Sequence, residues 1–174
     1  DGDRFAPPPL DDAERATIGK QRKAPMPEAV AADCPDWCVP LLRGAYGEGW
    51  VAEVKALAAR PPLDLRINTL KANRSRVLAE LEETGVAPAA IAPNGLRIPP
   101  IEGYGRHPNV QAEPAFRQGW FEVQDEGSQI VAHLAGVVPG MEVLDFCAGA
   151  GGKTLAMAAE MENKGSIFAY DAEK

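Results

Sequence analysis

Several residue types are scarce in this chain of 174 residues, and each shortage excludes a class of protein. Only three cysteines are present, too few for a disulfide framework in a chain of this length, and this fits a reducing, cytoplasmic compartment. The two histidines stand apart, so no Ser/His/Asp or Cys/His catalytic set can be assembled from them. No apolar run reaches the roughly 18 residues that span a bilayer, and the charged, proline-rich start does not fit a signal peptide. A soluble protein without a membrane partner is predicted.

Metal-ligating residues are also scarce. Cys34 and Cys38 are four residues apart, which could place both on one face of a helix. A structural zinc site needs four ligands, and no further cysteine or suitable histidine pair stands near them. We therefore expect no metal, and interpret these two cysteines as small buried side chains.

The overall charge is acidic, with a formal net charge of −7, which argues against phosphate binding at first sight. The basic residues are clustered, however, between residues 60 and 76, where only Asp64 opposes them. The cluster consists of Arg60, Arg66, Lys71, Arg74 and Arg76. Two interpretations remain open: a solvated face of the kind common on protein surfaces, or a surface that contacts RNA.

The most informative segment runs from Val143 to Thr154, where an apolar stretch gives way to three glycines and then to a helix-forming sequence. A strand, a tight loop without side chains and a helix N-terminus bring backbone N–H groups close to a ligand. We call residues 147–153 the glycine loop and predict that all of them bind a cofactor. They are Cys147, Ala148, Gly149, Ala150, Gly151, Gly152 and Lys153.

The spacing within the glycine loop decides between ligand classes. A phosphate-binding P-loop would require glycine where Cys147 stands, and a dinucleotide loop would require its third glycine at Thr154. An adenosyl ligand without a polyphosphate remains. Asp171 follows a second short strand about 20 residues after the glycines, where a carboxylate accepts hydrogen bonds from ribose hydroxyls. Lys153 is either a solvent-exposed lysine of the first helical turn or, as we favour, a contact to a carboxylate group carried by the adenosyl ligand.

Three motifs in order carry a family resemblance: residues 62–71, residues 121–129, and the D-x-C-A-G-x-G-G-K-T sequence at residues 145–154. Together they resemble the Sun/Fmu (RsmB-like) family, from about residue 35 to the last residue. The resemblance implies an S-adenosylmethionine-dependent RNA methyltransferase that converts cytosine to 5-methylcytosine in ribosomal RNA, with 16S RNA as the expected substrate. A tRNA cytosine methyltransferase, a class I methyltransferase with a non-RNA substrate and a non-catalytic RNA-binding fragment stay open.

The same resemblance implies two catalytic cysteines, one in a proline-cysteine motif and one in a threonine-cysteine motif, both well after the glycine loop. None of the cysteines present lies in such a context, so we assign no catalytic residue and expect the chain to be the inactive N-terminal portion of a longer enzyme. Cys147 is an alternative nucleophile, because a thiolate near a helix N-terminus has a lowered pKa. Its position directly after a strand favours a role in loop packing.

The predicted fold class is α/β: a helical N-terminal segment, a small α+β module resembling an RNA-recognition fold, and the start of a Rossmann-like methyltransferase domain. Breaks at proline and glycine give the boundaries. They are an extended arm at 1–27, a helical segment at 28–61, the RNA-binding module at 62–100, a connecting loop at 101–119, and the incomplete methyltransferase domain at 120–174. Asn73 is predicted to cap a helix, and Ile130, Val131 and Leu134 are predicted to share one face of another helix.

Overall fold

The computed structural model describes residues 8–21, 25–101 and 105–172. The chain forms two compact units, Asp1–Ala59 and Arg60–Lys174. The first unit is helical. Its α-helices are α1 (Asp12–Gln21), α2 (Glu28–Ala31), α3 (Val39–Tyr46) and α4 (Trp50–Ala58). Trp50 is its largest buried side chain, and the guanidinium of Arg43 lies 5.7 Å from the centre of the Trp50 ring.

The extended arm predicted for residues 1–27 is wrong where α1 forms. Asp11 and Glu14 bond reciprocally: the Glu14 N–H donates to Asp11 Oδ1 at 2.7 Å, and the Asp11 N–H donates to Glu14 Oε2 at 2.8 Å. This capping box satisfies N–H groups that the first helical turn leaves unpaired, so a helix begins although α1 buries no residue. The rest of the predicted arm lies partly outside the described residues.

The second unit opens with a four-stranded antiparallel sheet in the order β2-β3-β1-β4. Its strands are β1 (Leu63–Ile67), β2 (Ala87–Pro88), β3 (Gly95–Ile98) and β4 (Phe121–Val123). Helix α5 (Arg74–Glu80) begins after Asn73, whose Oδ1 accepts from the Arg76 N–H at 2.9 Å, so the predicted helix cap is confirmed. One apolar core joins the inner residues of this sheet to α5, with Leu65, Val77, Leu96 and Phe121 fully buried.

Strand β4 corrects the predicted boundary between modules. We placed residues 120–174 in the methyltransferase domain, but β4 pairs with β1 through Leu65–Val123 and Ile67–Phe121. The connecting segment also belongs to this module, because Val110 and Ala115 lie in the same core. It contains a 3-10 turn at Val110–Ala112 and helix α6 (Pro114–Arg117). A short strand can be predicted from its own residues, but its partner is set by distant ones, so the sequence pattern misplaced β4.

The remaining elements form a second layer. Helix α7 (Glu126–Leu134) is followed by strand β5 (Glu142–Asp145), helix α8 (Gly152–Glu160) and strand β6 (Ser166–Ala169). Strands β5 and β6 are parallel, which is the β-α-β opening expected of a Rossmann-like domain. Val143 and Ile167 pack inward on a cluster that includes Ala132 and Met157. The outward side chains, Leu144 and Phe168 among them, are exposed.

Helix α7 does not bury the apolar face that its sequence indicates. Val131 and Leu134 are exposed, whereas Glu126, Gln129 and Ala132 are buried. The reason is that α7 meets the polar side of β1, where Gln129 Nε2 donates to the backbone carbonyl of Leu65 at 3.2 Å. Among the described residues, no helix combines the length and apolar character needed to cross a bilayer.

Candidate cofactor and RNA site

The glycine loop has the backbone conformation that its sequence predicts. Gly149 and Gly151 have φ values of +53° and +83°, in the left-handed region that L-residues with side chains rarely adopt. A Cβ added at either position would meet no atom of the described residues within 4 Å, so the space beside the loop is open. Both glycines therefore leave backbone exposed where a ligand can approach it.

Asp171 and the glycine loop are brought together. The Gly149 N–H donates to Asp171 Oδ2 at 2.7 Å. The Ala148 N–H donates to the carbonyl of Tyr170 at 3.0 Å, and the Tyr170 N–H donates to the carbonyl of Asp145 at 2.8 Å. These bonds join the loop after β5 to the end of β6. The carboxylate thus lies at the carboxyl ends of two parallel strands, where open α/β sheets bind ligands.

Two side chains hold the first turn of α8. Thr154 Oγ1 donates to Asp145 Oδ2 at 2.6 Å, so the end of β5 is bonded to the helix that follows the loop. Lys153 Nζ donates to Ser128 Oγ on α7 at 3.2 Å and is partly buried, so Lys153 is not a solvated surface lysine. Sequence reasoning assigned no role to Thr154 or Ser128. Both residues lie within the family motifs at residues 121–129 and 145–154, and this position in the sequence is the signal that could have identified them.

The cysteines are dispersed. Cys147 is exposed within the glycine loop, whereas Cys34 and Cys38 are partly buried in the helical unit. Burial, followed by the neighbouring Cys38, raises the pKa of the Cys34 thiol. Across the described ranges, no group of three or more potential metal ligands comes together.

Arg66 corrects the predicted RNA surface. Its side chain lies on the polar face of β1 and is only 5% exposed. Its Nε donates to Gln124 Oε1 at 2.6 Å, and its Nη2 is buried without a partner among the described residues. Burial lowers the pKa of the Arg66 guanidinium, opposed by the charges of Glu122 and Glu160. A buried guanidinium cannot contact phosphate at the surface. The linear charge count missed this because it ignores which way a strand residue points.

The other four basic residues are exposed, but the structure does not bring them all to one place. Lys71 Nζ donates to the carbonyl of Gln118 at 3.2 Å, and the guanidinium of Arg76 lies 3.6 Å from the centre of the Trp120 ring. We call Lys71, Arg76 and Trp120 the basic-aromatic surface. Trp120 was not predicted as part of the site.

Arg74 and Arg60 have other neighbours. Arg74 Nη2 donates to the carbonyl of Pro93, and Arg60 Nη1 donates to the carbonyls of Ile101 and Gly105. Each guanidinium therefore fastens a loop of its own unit. Neither shares these carbonyl partners with Lys71 or Arg76.

A partly buried ion cluster joins the sheet to α7: its two carboxylates are buried and its arginine is partly exposed. Arg97 on β3 donates to both carboxylate oxygens of Asp64 at 2.6 and 2.8 Å and lies 3.1 Å from Glu126 Oε2. Glu126 Oε1 accepts from the N–H groups of Ile91 and Ala92 at 2.7 and 3.0 Å. The hydrogen bonds from Arg97 lower the pKa of Asp64, and those from Ala92 and Ile91 lower the pKa of Glu126. Burial opposes both shifts.

The fold and the glycine loop define a class of protein: a small antiparallel α+β module attached to the β-α-β opening of a Rossmann-like domain. Residues 34–100 match the RsmF/B-like methyltransferase family, ferredoxin-like domain. The predicted resemblance to the Sun/Fmu (RsmB-like) family is therefore confirmed, and so is the predicted fold class. The matched range begins in the helical unit, earlier than the module start that we predicted at residue 62.

Curated relatives extend the similarity along the chain. The chain is 34% identical over 166 residues to the probable ribosomal RNA small subunit methyltransferase B of Synechocystis sp., a match that covers 92% of this chain and 33% of the relative. It is 32% identical over 161 residues to ribosomal RNA small subunit methyltransferase B of Escherichia coli, covering 89% of this chain and 36% of the relative. The chain thus spans about a third of the length of these relatives.

Solved structures show the same fold. The crystal structure of PH0851 matches with a TM-score of 0.71 and 29% identity, over 98% of this chain and 35% of that protein. The structure of NSun6 from Pyrococcus horikoshii with SFG matches with a TM-score of 0.67 and 18% identity, over 80% of this chain and 59% of that protein. The second likeness concerns the fold alone.

Proposed function

We propose that this chain supplies the RNA-facing module and the cofactor loop of a methyltransferase that modifies carbon 5 of cytosine in ribosomal RNA. The observation that carries the proposal is the bond between Gly149 and Asp171, because it places a carboxylate at a glycine loop built for close ligand approach. The relatives named ribosomal RNA small subunit methyltransferase B support the reaction and the substrate class.

The residues fit S-adenosylmethionine, which when bound supplies the methyl group. Gly149 and Gly151 leave open the space that a Cβ would enter. The Asp171 carboxylate lies at the loop, bonded to the Gly149 N–H, in the position where this kind of fold places a carboxylate that accepts from ribose hydroxyls. Gly152 and Lys153 lie in the first turn of α8, where helical N–H groups have no partner within the helix and favour an anionic group such as a carboxylate. Lys153 also carries a positive charge, and its Nζ is held by Ser128 Oγ.

The basic-aromatic surface is the proposed RNA contact of the module. The exposed lysine and arginine can neutralise phosphates, and the half-buried Trp120 ring beside them can stack with a base on its exposed part. The Arg76 guanidinium already lies against the Trp120 ring, so cation and aromatic surface are presented together. Arg74 and Arg60 extend the positive charge over other parts of the module.

We further propose that residues 1–174 bind without transferring a methyl group. Carbon 5 of cytosine is a poor nucleophile, and a thiolate that adds at carbon 6 activates it. In the Sun/Fmu family the two catalytic cysteines directly follow a proline and a threonine, respectively. The three cysteines of this chain follow Asp33, Trp37 and Phe146.

The test is methyl transfer by the full-length protein. Unmethylated small-subunit ribosomal RNA, tRNA and a small-molecule methyl acceptor are incubated separately with labelled S-adenosylmethionine, and the RNA is digested to nucleosides for mass spectrometry. We expect 5-methylcytidine from the ribosomal RNA only. A labelled tRNA, a labelled small molecule, or a methyl group on another atom of the RNA would each contradict the proposal.

A further inference from the structure

Arg66 and Gln124 form a buried pair between the antiparallel sheet and the glycine loop. Arg66 lies on β1, and Gln124 directly follows β4, the neighbouring strand. The two side chains are 5% and 8% exposed, and Arg66 Nε donates to Gln124 Oε1 at 2.6 Å. Hydrogen bonds from a charged donor are among the stronger ones in proteins. The pair is therefore well suited to hold one geometry.

The partner of Gln124 determines which way its amide group faces. A guanidinium can only donate hydrogen bonds, so the oxygen end of the amide must face Arg66. The NH₂ end, with its two donors, must then face the other way. The backbone of Gln124 is also held, since its N–H donates to the Asp64 carbonyl at 3.1 Å and its carbonyl accepts from Gln129 Nε2 at 2.8 Å. Main chain and side chain are both fixed.

The NH₂ end of Gln124 lies beside the glycine loop. A Cβ added at Gly152, the first residue of α8, would be 3.4 Å from Gln124 Nε2. Among the described residues, Gln124 Nε2 donates no hydrogen bond. A donor held this firmly, next to a loop that binds a ligand by close approach, is placed to meet an acceptor on that ligand.

We propose that Arg66 is a positioning residue of the cofactor site: it orients the Gln124 amide so that Nε2 donates to an oxygen of S-adenosylmethionine held at the glycine loop. This inference rests on the proposed function and adds to it, because it makes a strand of the ferredoxin-like module part of the cofactor site. Arg66 acts through Gln124 and does not itself touch the ligand.

Calorimetric titration of the full-length protein with S-adenosylmethionine tests the inference. In Gln124→Glu the acceptor for Arg66 is kept, now as an ion pair, while the donor is lost. We expect affinity to fall about tenfold, as for the loss of one hydrogen bond to a charged or strongly polar group, with no decrease in the thermal midpoint. Arg66→Met leaves the Gln124 amide free to rotate. It should weaken binding about fivefold, since Nε2 would then still face the ligand for part of the time.

The double variant separates positioning from general support of the fold. If Arg66 acts through Gln124, Arg66→Met should cause no further loss of affinity in a Gln124→Leu background, whereas independent effects would add. Arg97→Met is the control, because it breaks another arginine contact of the same sheet, one that is partly buried and does not involve Gln124. It should lower the thermal midpoint and leave S-adenosylmethionine affinity unchanged.

The outcomes distinguish the two levels of proposal. If the wild-type protein binds no S-adenosylmethionine, the proposed function fails, and this inference fails with it. If the wild type binds but Gln124→Glu binds equally well, only the inference is overturned. Additive losses in the double variant would also overturn it. Should Arg66→Met not fold, Gln124→Glu decides the matter by itself, since it preserves the contact between positions 66 and 124.

Discussion

Arg97 holds Asp64 through two parallel hydrogen bonds, from Nε to Oδ1 at 2.6 Å and from Nη2 to Oδ2 at 2.8 Å. The two residues face each other across neighbouring antiparallel strands. Asp64 is 6% exposed, so its charge is compensated mainly by this fork of donors and by the Glu126 N–H. A buried carboxylate in a bidentate pair with arginine links stability to pH.

The first prediction concerns the stability of the fold at acid pH. The pKa of Asp64 is lower in the folded state than in the unfolded chain, because Arg97 stabilises the charged form. Its contribution to stability is therefore present above the unfolded pKa, near 4, and is lost as pH falls through the folded pKa. Urea unfolding of the wild type from pH 7 to 3 should show this fall, and Asp64→Asn should show a shallower one. Glu162→Gln, at an exposed ion pair with Lys164, should keep the wild-type slope. Equal slopes in all three proteins would disprove the assignment.

A second prediction concerns Asp171. Its carboxylate accepts from Gly149 and is proposed to accept from the cofactor ribose, in charge-assisted bonds worth roughly 1.5 to 3 kcal/mol each. Asp171→Ala should weaken S-adenosylmethionine binding to the full-length protein at least tenfold by calorimetry. Glu142→Ala, on the exposed start of β5, is the matched control and should bind normally. Unchanged affinity in Asp171→Ala would remove this residue from the site.

The third prediction concerns Gly151. A side chain there would be strained at φ +83° and would fill the space left for the ligand. Gly151→Val should abolish S-adenosylmethionine binding while circular dichroism still shows a folded protein. Gly136→Val controls for backbone strain, because Gly136 also has a positive φ, +62°, but lies outside the loop. That control should lose stability and keep affinity. Normal binding by Gly151→Val would show that the glycine serves only the turn.

The fourth prediction concerns RNA. Replacing Lys71 and Arg76 by alanine should weaken binding of small-subunit ribosomal RNA and reduce the salt dependence of the binding constant by about one unit of slope per lost phosphate contact. Trp120→Ala should weaken binding with the salt dependence unchanged, since stacking releases no counterions. Filter binding across a salt series measures both. Lys164→Ala, an exposed lysine paired with Glu162, should match the wild type. If the variant with both Lys71 and Arg76 replaced keeps the wild-type salt dependence, the RNA does not bind at the basic-aromatic surface.

Sequence reasoning predicted the parts whose signals are local. Asn73 caps α5 because a short polar side chain can reach the N–H three residues ahead, and the glycine loop is recognisable because left-handed backbone at close spacing calls for glycine. The bond between Asp171 and Gly149 agrees with the juxtaposition expected from their spacing. The cofactor and RNA roles of these residues stay predictions.

Long-range relationships were not predictable in the same way. Strand β4 was assigned to the wrong module because its pairing with β1 spans more than fifty positions of sequence. Arg66 was counted with the surface cations because its burial depends on α7, a helix that packs a polar face. Apolar periodicity cannot reveal such a face, since it marks polar residues as solvent-facing by default.

The two faces of strand β1 lie against protein interiors of opposite polarity. Leu65 and Ile67 project into the apolar core, while Asp64 and Arg66 project into the polar layer beneath α7. A shift of one residue in the pairing register would exchange the two faces of the strand. Both charged side chains would then lie in the apolar core, and both apolar side chains would lie against carboxylate and amide groups. Misregistered pairings are thus penalised on both faces at once, and only the native register gives α7 a polar face to dock on. Variants that weaken β1 pairing should therefore destabilise both layers together.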